Sequence, residues 1–351
     1  MISLKELKPR SIVIRMPNWI GDLIMATPIL TDVRRAFPEA HVTAMSRTPI
    51  CDLLSEDPDI NELFCFSKVS GFGRRSGKRD IIEKLRRGNY DLGILLTRSF
   101  SSAWWFWQGD VKRRLGYNGN ARRLLLTDPV HMPKNIDSQH LVVTYKTLLQ
   151  PLGIELSSSR PRLYLTEQEI QEAKALLKKL GVPEGQPLIG INPGATYGSA
   201  KCWLPERFRE VTQKMLTDPH VSILYFGDQA GSSLVKEVCQ GLPTRVINLA
   251  GLTSIRELAC LIKLCDVLLT NDSGPMHIAA ALETPVVALF GSTNEVVTGP
   301  YQTGQVIHKH VACSPCYRRV CPIDFRCMRS IETDEVVQAL QVALKAKKSH
   351  V

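Results

Sequence analysis

Apolar runs of strand length recur along the chain with helical stretches between them. That pattern belongs to parallel sheets covered on both faces rather than to an antiparallel sandwich. In the first half, "SIVIR" (11–15), "HVTAMS" (41–46) and "LGILL" (92–96) read as strands. The intervening "DLIMATPILTDVRRAFP" carries apolar residues at helical spacing and is stopped by Pro38. A second series follows: "PLIGINPG" (187–194), "SILYFG" (222–227), "RVINLAG" (245–251), "VLLT" (267–270) and "PVVALFG" (285–291). Each of these ends in Gly, Asn, Asp or Thr before a helix begins. In "SSSRPRLYLTEQEIQEAKALLKKLGVPEGQ" the Ser/Pro/Arg stretch reads as a connector and the Glu/Lys helix as exposed. A length of 351 residues exceeds what one core usually sustains. The expected architecture is α/β, with two doubly wound parallel-sheet domains, 1–165 and 166–332, facing a central cleft. A C-terminal helix and basic tail follow over 333–351.

Composition adds little except through charge and cysteine. The chain is 44% hydrophobic and 22% charged, as in a soluble enzyme. It lacks the roughly 18 uninterrupted apolar residues of a membrane span. Its N-terminus does not read as a secretory signal, so a cytoplasmic location is expected. The net charge of +10 is uneven, with 23 basic against 15 acidic side chains in residues 1–150 and 14 against 4 in residues 68–123. Such a patch points to nucleic acid, a phosphorylated sugar or an acidic membrane surface, or is simply a solvated basic face. Of the ten cysteines, most sit singly in apolar surroundings where Cys behaves as a small hydrophobe. Cys313, Cys316, Cys321 and Cys327, in "CSPCYRRVCPIDFRC", instead have ligand-like spacing for zinc or an iron–sulfur centre. A structural zinc is expected there, with four reduced thiols as the alternative.

The chemistry gathers at strand ends. In "LLTNDSGPMHIAAAL" (268–282) a buried strand delivers Asn271 and Asp272 to a sheet edge. Asp272 or Ser273 can cap the next helix, Gly274 lets a ligand approach the backbone, and His277 lies one turn on. The helix N-terminus suits phosphate. An ordinary capped core helix gives the same letters. A second strand–turn–helix, "INPGATYGSAKCWLPERF" (191–208), offers the hydroxyls of Thr196 and Ser199 and the point charge of Lys201, with Trp203 as a packing anchor. A third, "YFGDQAG", puts Gly227 and Asp228 on the same edge, where a carboxylate can bind ribose hydroxyls. Three such loops on one edge point to a nucleotide diphosphate. A dinucleotide fingerprint is missing, since "GFGRRSG" (71–77) has the wrong final spacing, and so is a P-loop. In "SIVIRMPNWIGDLIMATP" a turn leads to Gly21 and Asp22 at a helix start, where a carboxylate can take a proton from a hydroxyl or merely serve as a first-turn acid. "DPD" (57–59) reads as a turn, and "WWFW" (104–107) as helix core rather than lipid contact.

The stretches "IVIRMPNWIGDLIMATP", "NPGATYGSAKCW" and "NLAGLTSIRELACLIKLCDVLLTNDSGPMHIAAAL" together resemble the lipopolysaccharide heptosyltransferases of glycosyltransferase family 9, most of all their heptosyltransferase II branch. The resemblance covers nearly the whole chain. It implies a GT-B fold of two Rossmann-like domains, a donor of ADP-L-glycero-D-manno-heptose, and inverting transfer to the lipopolysaccharide inner core without a catalytic metal or other cofactor. Carried over by position, Asp22 is the general base, Lys201 and Thr196 meet the diphosphate, and Asp272 meets the heptose. Ser273, Gly274 and His277 line the rest of the donor pocket. The acceptor, lipid A bearing Kdo, is anionic. Arg98, Arg113, Arg114, Arg122 and Arg123 are expected to receive it, on a peripheral enzyme at the inner face of the inner membrane. The alternatives are heptosyltransferase I or III, a GT-B epimerase or an enzyme using another nucleotide sugar. A basic nucleic-acid-binding protein is the alternative from another class, although the chain has no RNP, zinc-finger or helix-turn-helix signature.

Overall fold

The computed structural model describes residues 3–67 and 74–348 and divides into two compact units, Met1–Tyr164 and Leu165–Val351. The glycine-rich stretch 71–77 begins outside the described residues.

Unit 1 is a six-stranded parallel sheet: β1 Ser11–Arg15, β2 His41–Arg47, β3 Glu62–Phe66, β4 Leu92–Leu95, β5 Arg113–Tyr117 and β6 Asp128–Val130. Its spatial order is β3-β2-β1-β4-β5-β6. Unit 2 holds β7 Leu188–Asn192, β8 Ser222–Tyr225, β9 Val246–Asn248, β10 Val267–Asn271, β11 Val286–Phe290 and β12 Gln305–His308, also parallel, in the order β12-β11-β10-β7-β8-β9. Counted from its own first strand, each sheet has the doubly wound order 3-2-1-4-5-6. The winding therefore reverses between β1 and β4 in unit 1 and between β7 and β10 in unit 2. In open α/β sheets the crevice outside the strand carboxyl ends at that reversal is where ligands sit.

The central strands form because both of their faces are covered. All five residues of β7, β10 and β11 are buried, so each reads as an apolar run, closed in β7 and β10 by polar residues at the strand end. Each fully buried Val, Leu or Ile side chain contributes about 1.5–3 kcal/mol. The helix Thr333–Lys348 belongs to the same core, adding Val336, Ala339 and Leu340 to the packing around Ile191, Leu269 and Leu289. The strands not anticipated from the sequence are β3, β5, β6 and β12. They are short or start on charged and polar residues, and Pro129 is tolerated in β6 because that strand lies at the sheet edge.

Three local expectations are revised. The helical stretch after β1 is two helices, Ile20–Met25 and Pro28–Ala36, since Pro28 cannot donate to the preceding turn and instead starts a new helix. Cys51 and Cys65 are bonded to each other, joining the turn Ile50–Leu54 to β3, whereas the sequence reading treated them as single apolar residues. The aromatic run is core only in part. In the helix Phe100–Gln108, Phe106 is buried and Trp105 meets Phe66 edge-on at 5.6 Å, but Trp107 is 46% exposed.

Two other stretches follow the sequence reading. "DPD" is a turn in which the Asp59 N–H donates to Asp57 Oδ1 (2.9 Å) and Thr31 Oγ1 donates to Asp59 Oδ2 (2.6 Å). Burial pushes the Asp57 carboxyl up to about 6. The helix Glu167–Lys179 opens with a complete capping box between Thr166 and Glu169, and Glu169 also binds Arg256, which holds its carboxyl down at about 2. No helix among the described residues is long and apolar enough to cross a membrane.

Candidate active site

In unit 2 the loops leaving β7 and β10 are braced by the two asparagines that end those strands. Asn271 Oδ1 accepts the Trp203 N–H (2.9 Å) while its Nδ2 donates to Pro193 O (2.7 Å). Asn192 Nδ2 donates to Gly194 O (3.0 Å) and to Ser273 Oγ (3.1 Å). Asn271 is thus a buried strut and is not presented at the edge as the sequence suggested. Trp203 is buried as the expected anchor, its indole N–H donating to Ile331 O (3.3 Å).

The braces hold Lys201 against Asp272. Their side chains form a direct ion pair, only 14% and 5% exposed, and Thr293 Oγ1 donates to the same carboxylate oxygen at 2.6 Å. Thr293 was not singled out from the sequence; its signal was the hydroxyl-rich "GST" after another strand of the series. The Lys201 ammonium also lies 5.0 Å from the Tyr197 ring centre, a cation–π distance. Ser273 occupies the N-cap position of the helix Gly274–Ala281, but its hydroxyl contacts Thr270 Oγ1 (2.9 Å) and makes no capping bond. The first turn therefore keeps N–H groups with no side-chain cap, beside a lysine and beneath a glycine, as an anion site requires. Thr196 and Ser199 are exposed on the β7 loop. Gly227 packs beside Ala250, and Asp228 accepts the Gly231 N–H (2.8 Å), closing the turn after β8. His277 is buried within its helix.

In unit 1, Asp22 is half-buried at the third position of the helix Ile20–Met25, whose N-cap position is held by Trp19. It is a first-turn acid and not the cap. The preceding turn is fixed by Arg15, the last residue of β1 and absent from the sequence candidates. Its buried guanidinium donates to Asn18 Oδ1 (2.6 Å) and to Met16 O, and stacks 4.7 Å from the Phe66 ring centre. Burial, then repulsion from Arg47, brings its pKa down to about 9, so it stays charged at neutral pH. Near Asp22 lies buried Tyr145, also missed in the sequence. Burial holds its hydroxyl pKa well above the ordinary value, the negative charge of Asp22 raises it further, and Arg98 acts the other way.

The five arginines separate. Arg98 and Arg123 are exposed on the loops after β4 and β5. Arg122 is fully buried, its guanidinium donating to Tyr117 O (2.8 Å from Nε) and to Thr97 O, so it props a loop and cannot reach a ligand. Arg113 and Arg114 begin β5, at the sheet edge opposite Asp22. There Arg113 pairs with Asp128 on β6 (2.9 Å from Nε), and Arg114 donates to Leu125 O and Val111 O. Their charges are committed to holding strands together.

Cys313, Cys316, Cys321 and Cys327 carry no disulfide and line one cavity of about 230 Å³. A zinc ion with Zn–S of about 2.3 Å would hold its sulfurs ~3.8 Å apart. Among the described residues no three of these four sulfurs lie within 4.8 Å of one another. The structural zinc expected from the sequence does not fit that spacing.

Comparison with known proteins agrees with the fold. The signature of glycosyltransferase family 9 (heptosyltransferase) matches residues 78–325, most of the chain. The chain belongs to glycosyltransferase family 9. Within that family, lipooligosaccharide heptosyltransferase 2 of Haemophilus ducreyi is 30% identical over 302 residues, covering 83% of this chain and 86% of that one. Lipopolysaccharide heptosyltransferase 2 of Salmonella typhimurium is 30% identical over 293 residues, 81% and 83% of the two chains. The solved structure of Escherichia coli ADP-heptose LPS heptosyltransferase II superposes with a TM-score of 0.81 at 26% identity, covering 96% of this chain and 99% of that one. The two six-stranded units are those of the GT-B fold, and the chain is a glycosyltransferase. The family match includes the loops after β7 and β10 and three of the four cysteines, and begins after Asp22.

Proposed function

We propose that this family 9 enzyme transfers L-glycero-D-manno-heptose from ADP-heptose to the inner core of lipopolysaccharide, with inversion; its relatives are named as heptosyltransferases 2 of lipooligosaccharide and lipopolysaccharide, one of them as an ADP-heptose enzyme. The observation that carries the reading is the buried Lys201–Asp272 pair beside the uncapped start of Gly274–Ala281, at the strand reversal of unit 2. The diphosphate of the donor takes the helix N–H groups and the Lys201 ammonium. Asp272, released from that lysine, turns to the sugar hydroxyls, while Thr196 and Ser199 hydrogen-bond the phosphates. Gly227 and Asp228 border the ribose, and His277 supports the pocket from within its helix. As the glycosidic bond breaks, negative charge grows on the departing ADP, and preorganised donors stabilise it without a metal. Asp22 takes the proton of the attacking hydroxyl. A group at the cysteine cluster, if bound, is structural and takes no part in transfer.

The acceptor reading narrows to Arg98 and Arg123 for its phosphates and carboxylates. Trp19, Phe100 at the start of its helix and the 92% exposed Leu124 follow β1, β4 and β5 at the same sheet edge. Cationic and apolar groups interleaved in this way suit an anionic lipid on the inner leaflet, each basic residue near such a surface adding ~1 kcal/mol. The test incubates the enzyme with ADP-heptose and Kdo–lipid A acceptors bearing no, one or two heptoses, and weighs the products. The expected result is a gain of one heptose on the singly substituted acceptor. Product formed solely from another nucleotide sugar, or on another acceptor, would replace this assignment.

A further inference from the structure

The four cysteines lie in or just after residues 309–325, a segment without regular structure between β12 and the helix Arg326–Arg329. Loops of that length need a reason to be ordered. This one gains little order from its own apolar side chains, since Val311 and Phe325 pack against the core only in part and Tyr317, Val320 and Ile323 are all more than 45% exposed. His310, Tyr317 and Phe325 also have φ of 43°, 54° and 62°, in the left-handed region that a β-carbon disfavours. A loop with so little core and three such residues is the kind that a metal group staples.

The space for the group is present. All four cysteines border the 230 Å³ cavity, and their sulfurs stand farther apart than one tetrahedral ion allows. Arg318 and Arg326 line the same cavity; Arg326 is paired with Asp324 (2.9 Å from Nε), which leaves Arg318 to place positive charge where a dianionic cluster with four thiolates would need it. Ser314, between the first two cysteines, is fixed from outside: its hydroxyl donates to Gly291 O and contacts His308 Nε2 (2.8 Å), whose Nδ1 is held by Glu295 (2.7 Å). With both ring nitrogens engaged, His308 is a support for the loop and not itself a ligand.

We infer that Cys313, Cys316, Cys321 and Cys327 ligate a cubane [4Fe–4S] cluster that staples this loop against the donor site. Each thiol gives up its proton on ligation, and iron and inorganic sulfide come from the cell's cluster supply. The loop then bears directly on the donor segment. Arg319 O accepts the Ala200 N–H (3.0 Å), Tyr317 O accepts the Tyr197 hydroxyl (2.7 Å), and the Arg319 guanidinium sits 5.4 Å from the Tyr197 ring centre. Ala200 precedes Lys201 and itself lines the cavity. The cluster is a positioning element for Lys201 and not a reactant.

The full chain, purified without oxygen and then reconstituted with ferrous iron and sulfide under reducing conditions, is analysed for iron, zinc and acid-labile sulfide. The expected result is about four iron and about four sulfide per chain, with broad visible absorption that Cys316→Ser and Cys321→Ser abolish. Zinc in place of iron, iron without labile sulfide, or neither after reconstitution overturns the inference. These results are independent of the proposed transfer reaction. The bracing role does rest on the donor reading, and is measured as ADP affinity of wild-type protein with and without the cluster. A loss of about 10-fold on removal supports it, and equal affinities overturn it. Failure of the cluster-loaded wild type to bind ADP at all would instead count against the donor assignment. Protease cleavage between residues 309 and 325 should be faster in the cluster-free wild type, and equal rates would contradict the staple.

Discussion

The two strand reversals occupy equivalent places in sheets of identical order and both turns are braced from beneath, yet their candidate charged groups differ in burial. At β7/β10 the charges are sealed: Lys201 is bonded to Asp272, Thr293 caps the same oxygen, and two asparagines lock the loops. At β1/β4 the carboxylate of Asp22 is half-buried, and the nearby cation, Arg98, is exposed. The fold supplies the location and the loops supply the chemistry. In the proposed function, the sealed pair keeps a lysine and a carboxylate oriented until a diphosphate substitutes for the carboxylate. In the same proposal the half-buried aspartate has to meet only a neutral hydroxyl.

That contrast can be broken at several points. The largest effect is expected from Lys201→Ala, which removes the proposed phosphate partner and strands Asp272 in a buried site. ADP affinity should fall about 10- to 100-fold, and unfolding stability by about 3 kcal/mol. Calorimetric titration and urea unfolding measure the two, and unchanged ADP affinity would remove Lys201 from the donor site.

Next comes the separation among the arginines. Arg122→Ala should cost about 2–3 kcal/mol, because the carbonyls of Thr97 and Tyr117 lose a charged donor in a buried site. Arg123→Ala should change stability by less than about 0.5 kcal/mol while weakening retention on anionic vesicles. The reverse order in urea midpoints would return Arg122 to the candidate ligand contacts.

The smallest effect tests a carboxylate that serves the fold alone. Asp57 ionises near 3.8 when unfolded and at about 6 when folded, so stability falls as pH rises through that window. Asp57→Asn keeps the acceptor for the Asp59 N–H and should stabilise the protein at pH 8 on the order of 1 kcal/mol, with the gain vanishing by pH 4. No pH dependence in the difference would contradict the burial-driven shift.

Much of the fold was legible because buried parallel strands are contiguous apolar words ending at polar turns; β7, β8, β10 and β11 could be located to within a residue or two. β5 was not, since it opens on Arg113 and Arg114, whose charges are cancelled by Asp128 and by backbone carbonyls that no sequence displays. The same blindness affected the arginine group. Arg122 and Arg123 are adjacent and chemically identical in sequence, and only packing makes one a buried prop and the other an exposed cation. Asn271 looked like a ligand contact because it stands beside Asp272, but alternation along a strand sends neighbours to opposite sides. The bond between Cys51 and Cys65 was hidden because it depends on β3 being a strand, which "ELFCF" states weakly. Loops with convergent chemistry were readable, whereas the struts beneath them, Arg15, Asn192 and Thr293, were not.

The division of labour between the units is tested most directly by Asp22→Asn. Product is measured by mass under saturating ADP-heptose, and ADP affinity by titration. The account predicts a loss of transfer of about 1,000-fold with ADP affinity within about twofold of the wild type. Wild-type turnover, or an equal loss of turnover and ADP binding, would contradict it.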